Sequence, residues 1–351
     1  MRHKWDQVHK EPVPREAAAG KGRTLLLLGA ALLLAFLLSF AVGRYGVPPG
    51  EVVKILLSGI LPVERTWTDA MQAAVLNVRL PRILMACLVG ACLSAAGASY
   101  QGVFQNPMAS PDILGASGGA AFGAALAILL GMPGKAITLF AFAFSLAAVL
   151  LAVFLSGIAP GKRVMSLILG GIMIGSLFSA GVSYIKLVAD PSNQLPQITY
   201  WLMGSLSGVK GKDVRAALLP MALGLIPLLL LRWRVNLLAL GDDEARTLGV
   251  NAGLLRLAVI LCATLVTAAG VSVSGMIGWV GLVIPHLCRR LVGGDFRALM
   301  PASMLAGAAF LLLADNVSRN LLAVEIPIGI LMAFLGAPFF VYLLLRGERA
   351  A

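Results

Sequence analysis

Long charge-free apolar runs alternate with short polar stretches along the whole chain. The runs cover 24–43, 83–111, 113–134, 136–161, 164–185, 216–231, 257–288, 298–314 and 326–345. A helix of roughly 20 apolar residues crosses about 30 Å of hydrocarbon, so the pattern predicts transmembrane helices. The run 216–231 is short, and Arg215 and Arg232 can extend it by snorkelling from its two ends. The run 257–288 would measure about 48 Å as a single helix, too long for one crossing. Ser272-Val-Ser-Gly275 breaks it near the middle, which predicts two helices there. The expectation is an all-α polytopic membrane protein with about ten spans and both termini on one side.

The run from Ile83 closes on a polar, proline-bearing tail, Gln101-Gly-Val-Phe-Gln-Asn-Pro-Met-Ala-Ser-Pro-Asp112. Pro107 lacks an N–H and disfavours helix at Asn106, so the helix should stop there. A broken helix at membrane depth survives only against protein or beside water. Gly115, Gly119 and Gly123 recur at four-residue intervals, a spacing that lets helix backbones approach closely in lipid. Gly275, Gly278 and Gly281 form a second group. The polar stretches 44–78 and 186–215 are long enough for short surface helices, one within Glu51–Ile60 and one around Tyr200–Gly208.

Composition supports the membrane class. Of 351 residues 59% are hydrophobic and 13% charged, with mean hydropathy +0.91, whereas soluble domains carry about 25% charged residues. Orientation follows from Lys and Arg. With the N-terminus inside, the segments 1–23, 104–112, 158–163, 232–256, 289–297 and 346–351 are inner and hold 17 of the 28 basic residues. The organisation is then a cytoplasmic N-terminal segment, 1–23, and a single transmembrane domain, 24–346, with an inner loop at 236–253. The N-terminal run is expected to be a retained first helix rather than a cleaved signal. Both termini are expected to be cytoplasmic.

The net charge of +12 is scattered over short loops with no aromatic interleaving, which argues against nucleic acid and for anionic lipid. Cys87, Cys92, Cys262 and Cys288 lie in apolar runs without CxxC spacing and read as core residues. No catalytic constellation is visible, and His286 beside Arg289 and Arg290 has no partner for a metal site. No phosphate-binding GxxxxGK[ST] is present, so active transport would draw energy from a partner or an ion gradient. For a gradient the main acidic candidate is Asp315, which an i,i+4 pair with Arg319 would neutralise; Glu325 lies in the following loop.

Three ordered blocks carry a resemblance. The first is Leu76-Asn-Val-Arg79-Leu-Pro-Arg82 with Phe104-Gln-Asn106-Pro107-Met108-Ala-Ser-Pro-Asp-Ile-Leu-Gly115. The second is Leu238-Ala-Leu240-Gly241-Asp242-Asp-Glu-Ala245-Arg-Thr-Leu248-Gly249. The third is Gly278-Trp-Val-Gly281-Leu-Val-Ile-Pro285-His286, running on to Leu313-Ala-Asp315-Asn-Val-Ser-Arg319 and Glu325-Ile-Pro327-Ile-Gly329. Over about residues 25–346 the chain resembles the permease subunits of the iron-siderophore, haem and vitamin B12 importers of the ATP-binding-cassette class.

The resemblance implies a type II importer fold in a prokaryotic plasma (inner) membrane and a homodimer with the solute path between its subunits. It also implies two separate ATPase subunits inside, which bind ATP and magnesium, and a substrate-binding protein outside. The chain itself would be no enzyme and hold no cofactor or metal. Arg79, Arg82 and Arg319 would meet acidic residues of the binding protein. The competing readings are that Arg79 and Arg82 anchor a helix at the headgroups and that Arg319 simply pairs with Asp315. Leu240, Gly241, Asp242, Ala245, Leu248 and Gly249 would form the segment that couples to the ATPase, against the alternative of an ordinary solvated loop. Asn106, Pro107 and Met108 would form an inner gate. Val164-Met165 aligns with another gate position where some members carry small hydroxyl residues, and is left unassigned. The cargo implied is an iron-siderophore-type chelate, with cobalamin or haem as the alternative. An ion-coupled secondary transporter is the alternative class.

Overall fold

The computed structural model describes residues 15–43, 45–59, 61–158, 163–238 and 241–347. His3, His9, Gly161-Lys162 and Leu240 lie outside them. In chain order the helices are α1 (Arg15–Ala41), α2 (Pro49–Leu57), α3 (Asp69–Ala73) and α4 (Leu80–Val103), with a π-helical turn at Ala74–Arg79 leading into α4. A 3-10 turn at Pro111–Leu114 precedes α5 (Ala116–Leu129), α6 (Gly134–Ile158), α7 (Arg163–Val188) and α8 (Gln194–Met203). The rest are α9 (Gly211–Leu238), α10 (Asp242–Thr247), α11 (Ala252–Ser274), α12 (Val280–Val292), α13 (Phe296–Asn320) and α14 (Ile328–Gly347). The described residues contain no strand.

Each apolar run carries a helix, and 257–288 is indeed broken: α11 ends at Ser274 and Gly275 takes φ +67°. Length divides the set. Among the described residues seven helical stretches are long and apolar enough to cross a membrane, the one containing α4 running unbroken over Asp69–Val103. By contrast α5 has 14 residues and α12 has 13, about 20 Å each at 1.5 Å per residue. The short surface helices of the two long polar stretches are α2 and α8. The second lies upstream of its expected position, because Gly204 at φ +70° ends it.

The α4 helix is the axis of the bundle. In its apolar window 78% of residues are buried, against 17% for α1. It packs on α13, α11, α12 and α9. Small residues permit this. A Cβ on Gly97 would fall 1.7 Å from the Gly281 carbonyl oxygen of α12, and one on Gly90 2.2 Å from the Gly307 oxygen of α13. Gly119 and Gly123 similarly admit the α6 backbone at Phe144 and Phe140. Gly115 does not share their face. It precedes α5 at φ +80° and packs on Gly171 and Gly175 of α7.

Contacts define two ends. At one, Lys21 lies 3.8 Å from Asp295, Asn236 donates to Asp295 at 2.9 Å, and Gly102 packs on Val235 and Phe296. At the other, Arg79 donates to the Phe40 and Tyr45 carbonyls, and Arg82 meets Asp315 and Glu325. The first end also holds α10, between α9 and α11.

One sequence expectation is corrected. The segment 104–112 does not all remain at the first end. After α4 stops at Val103, three residues before Asn106, the chain turns and climbs back. Pro111 packs on Gly281 beside Leu93, and Ile113 and Leu114 pack on Gly171. This return is why α5 is short.

Candidate functional site

At the Arg82 end, three arginines and two carboxylates form one cluster. Arg79, Arg82 and Arg319 are 4%, 5% and 7% exposed, so all three point into the subunit. Arg79 leaves the π-helical turn and donates to the Phe40 carbonyl at the end of α1 and to the Tyr45 carbonyl in the loop beyond it. Arg82, in the first turn of α4, donates through Nη1 to Glu325 at 3.0 and 3.1 Å. Arg319 donates to the Ser39 carbonyl at 3.1 Å and lies 3.8 Å from Asp315. Asp315 is fully buried between Arg82 and Arg319. Buried charges persist only when paired and hydrogen-bonded, and here α1, α4, α13 and the loop before α14 supply the partners. Asp315 is therefore bound in a structural network, which does not favour it as an ion relay. The expected Asp315–Arg319 pair is present, but Arg82 makes the closer contact.

At the opposite end, α10 is a six-residue helix framed by Gly241 at φ +112° and Gly249 at φ +77°. Val250 N–H donates to Ala245 O at 3.0 Å and Gly249 N–H to Arg246 O at 2.9 Å, which closes the turn. Of the coupling residues, Ala245 is fully buried within its own subunit, whereas Leu248 is 59% exposed. Gly249 is exposed as well. The available surface is thus Leu248 with its glycine, and Asp242 opens the helix. Leu240 falls outside the described residues.

Asn106, Pro107 and Met108 are all exposed. Asn106 Oδ1 accepts from Met108 N–H at 2.9 Å, so its amide side chain builds the turn itself. Gln105 adopts φ +50° and donates to the Leu238 carbonyl, tying the turn to the end of α9, just before the α10 region.

Two features escaped the sequence reading. Glu325 was placed only in a loop, yet it completes the coordination of Arg82, 243 positions away in the chain. Asp112 was placed at an inner surface, yet it lies beside Leu93, Thr267 and Trp279. The 83–111 run spans about 44 Å as a helix, and that excess length was the available signal for re-entry. Beside the arginine cluster, Gln197, Tyr200, Trp201, Ser205 and Glu325 line an open cavity of about 520 Å³.

Comparison with known proteins agrees with this architecture. The family model of the FecCD transport family matches residues 31–346. The molybdate import system permease protein MolB of Haemophilus influenzae is 41% identical over 92% of this chain and 96% of its own. A probable iron chelatin transport system permease protein of Helicobacter pylori is 43% identical over 79% of this chain and 84% of its own. Further relatives are named for Fe(3+)-citrate, cobalamin and hemin transport. A solved inward-facing structure of a putative metal-chelate type ABC transporter superposes with TM-score 0.82 at 39% identity, over 93% of this chain and 99% of that one. With the match running from α1 into α14 and the helices superposing throughout, the chain belongs to the FecCD transport family of ABC importer permeases.

Proposed function

We propose that this chain is the membrane half of an importer that moves an iron-siderophore-type metal chelate by alternating access. Two copies pair, with the path between them. Two ATPase subunits bind the inner face through α10 and its flanks, and a binding protein delivers cargo outside. The observation that carries this reading is the family match over 31–346. It is supported by an exposed apolar residue, Leu248, capping a short helix packed between α9 and α11. A helix of that kind can transmit a rigid-body push from a motor. The α10 end is then cytoplasmic, in keeping with the basic-residue bias, and the arginine cluster is outer. The seven long spans, with α5, α12 and α14, make up the ten crossings.

The nature of the cargo is tested by uptake. Vesicles holding the chain with its ATPase and binding protein should accumulate a ferric siderophore only with ATP inside the compartment where α10 lies. Uptake by the chain alone on an ion gradient would instead support the secondary-transporter reading. A second cargo, molybdate, is favoured by the 41% identity to MolB across nearly that whole protein. Cobalamin and haem are the other competitors, and competition among these solutes in the same vesicles ranks them.

A further inference from the structure

Asp112 lies at the middle of the bundle. Its neighbour Leu93 is about 20 Å along α4 from Leu80 and about 15 Å from Val103. Its other neighbour Thr267 is about 22 Å along α11 from Ala252. Two broken segments meet there, the turn Pro111–Leu114 before α5 and the non-helical stretch 275–279 before α12.

Its surroundings differ from those of Asp315. Asp315 is fully buried between arginines. Asp112 is exposed, and Ser117 donates a hydrogen bond to its Oδ1. Among the described residues no lysine or arginine is paired with it. A carboxylate exposed at mid-depth cannot face hydrocarbon, where acidic groups are costly and turn inward or to water. Irregular backbone at that depth likewise needs protein or a water-filled cavity. The face carrying Asp112 therefore meets water or a second protein surface, not lipid.

Residues flanking Asp112 lie toward both ends. Ser274 and Gly275 line the 520 Å³ cavity at the Arg82 end, while Ile277 and Trp279 line the crevice at Asp112. On the other side, four residues back in the chain, Met108 is exposed in the turn that Gln105 ties to the end of α9.

We propose that Asp112 is a water-facing station on the solute path at mid-membrane, accepting hydrogen bonds from the donor-bearing or cationic face of the passing cargo. This rests on the permease reading above and adds to it a residue and a ligand chemistry. Two copies of the chain would place two such carboxylates along the path.

The test uses the chain in a bilayer with its ATPase, after Cys87, Cys92, Cys262 and Cys288 are replaced by alanine. The probes are the cationic trimethylammonium-ethyl and anionic sulfonatoethyl methanethiosulfonates. A thiol in hydrocarbon loses thiolate by about tenfold per unit of pKa elevation, and the thiolate is the reacting form. Asp112→Cys should therefore react at least about tenfold faster than Leu33→Cys, on the 59% exposed flank of α1. Ser117→Cys should react several-fold faster with the cationic reagent than with the anionic one, and adding Asp112→Asn should erase that preference. Reaction at 112 and 117 no faster than at 33, or a charge preference that survives Asp112→Asn, overturns the proposal. ATPase retention scored in the same preparation reports separately on the permease reading. If Asp112→Cys does not assemble, the Ser117→Cys pair decides alone.

Discussion

Arg82 and Asp315 stand 233 positions apart in the chain, and Arg82 Nε donates to both Asp315 oxygens, at 3.0 and 3.1 Å. Nη2 approaches Oδ1 to 2.9 Å but off the hydrogen-bonding direction. The contact joins the first turn of α4 to the last turns of α13, and Arg319 flanks it from the same helix. Removing one partner of such a buried pair leaves an uncompensated charge.

Asp315→Ala should therefore destabilise the subunit by about 3–5 kcal/mol, since Arg319 would lose its Asp315 contact and Arg82 would keep only Glu325. The double variant Arg82→Ala with Asp315→Ala should cost less than the sum of the two single changes. Denaturant unfolding in detergent measures both, and strict additivity would show that the pair is not coupled.

Glu325 is the accessible member of that network, with its side chain 34% exposed against 6% for Arg82. If the binding protein presents a carboxylate to Arg82, Glu325 must yield its place. Glu325→Gln should then tighten docking several-fold at low salt, with the gain shrinking as salt screens the contact. Surface plasmon resonance with the permease in nanodiscs reads it. Weaker docking would make Glu325 itself a contact for the binding protein.

At the opposite end, Leu248→Asp should detach the ATPase without unfolding the chain, because Leu248 is 59% exposed while Ala245 carries the internal packing of α10. Loss of a central apolar anchor typically costs 2 kcal/mol or more, about thirtyfold in affinity. Co-purification and a thermal melt separate the two effects. A detached ATPase with an unchanged melt is the expected pair of results.

Close backbone approach makes Gly97 intolerant of any side chain. Gly97→Ala places a methyl 1.7 Å from the Gly281 oxygen, whereas Gly134→Ala meets nothing within 4 Å. The first should abolish folding or force α4 from α12, and the second should be neutral within about 0.5 kcal/mol. Yield of monodisperse protein distinguishes them.

Asp295 supplies a pH dependence. Partial burial raises its carboxyl affinity for protons, but the Arg297 N–H, the Asn236 amide and the Lys21 charge outweigh that and hold it below the usual carboxylate range. Its contribution is thus present above about pH 3.8 and is lost as pH falls through the lowered value. Asp295→Ala should cost about 1 kcal/mol of α13 capping, and the gap to the parent should close only in strong acid.

Much of the helical content was legible in residue order alone. Charge-free runs mark where helices must be, because lipid tolerates backbone only when each segment satisfies its own hydrogen bonds. Ser272-Val-Ser-Gly275 announced a break, since 32 charge-free residues at 257–288 exceed one crossing. The families of motifs around Arg79, Asn106 and Gly241 announced the transporter class. Depth and partnership were not legible. Sequence distance says nothing about which carboxylate reaches Arg82, because the fold brings α4, α13 and the loop at Glu325 together through glycine contacts between helices far apart in the chain. Nor does a polar tail after an apolar run say whether it stays at the surface or returns. That was decided by Gly281 and Gly171, whose missing side chains make room for Pro111 and Leu114, and so lift Asp112 to the middle of the bundle.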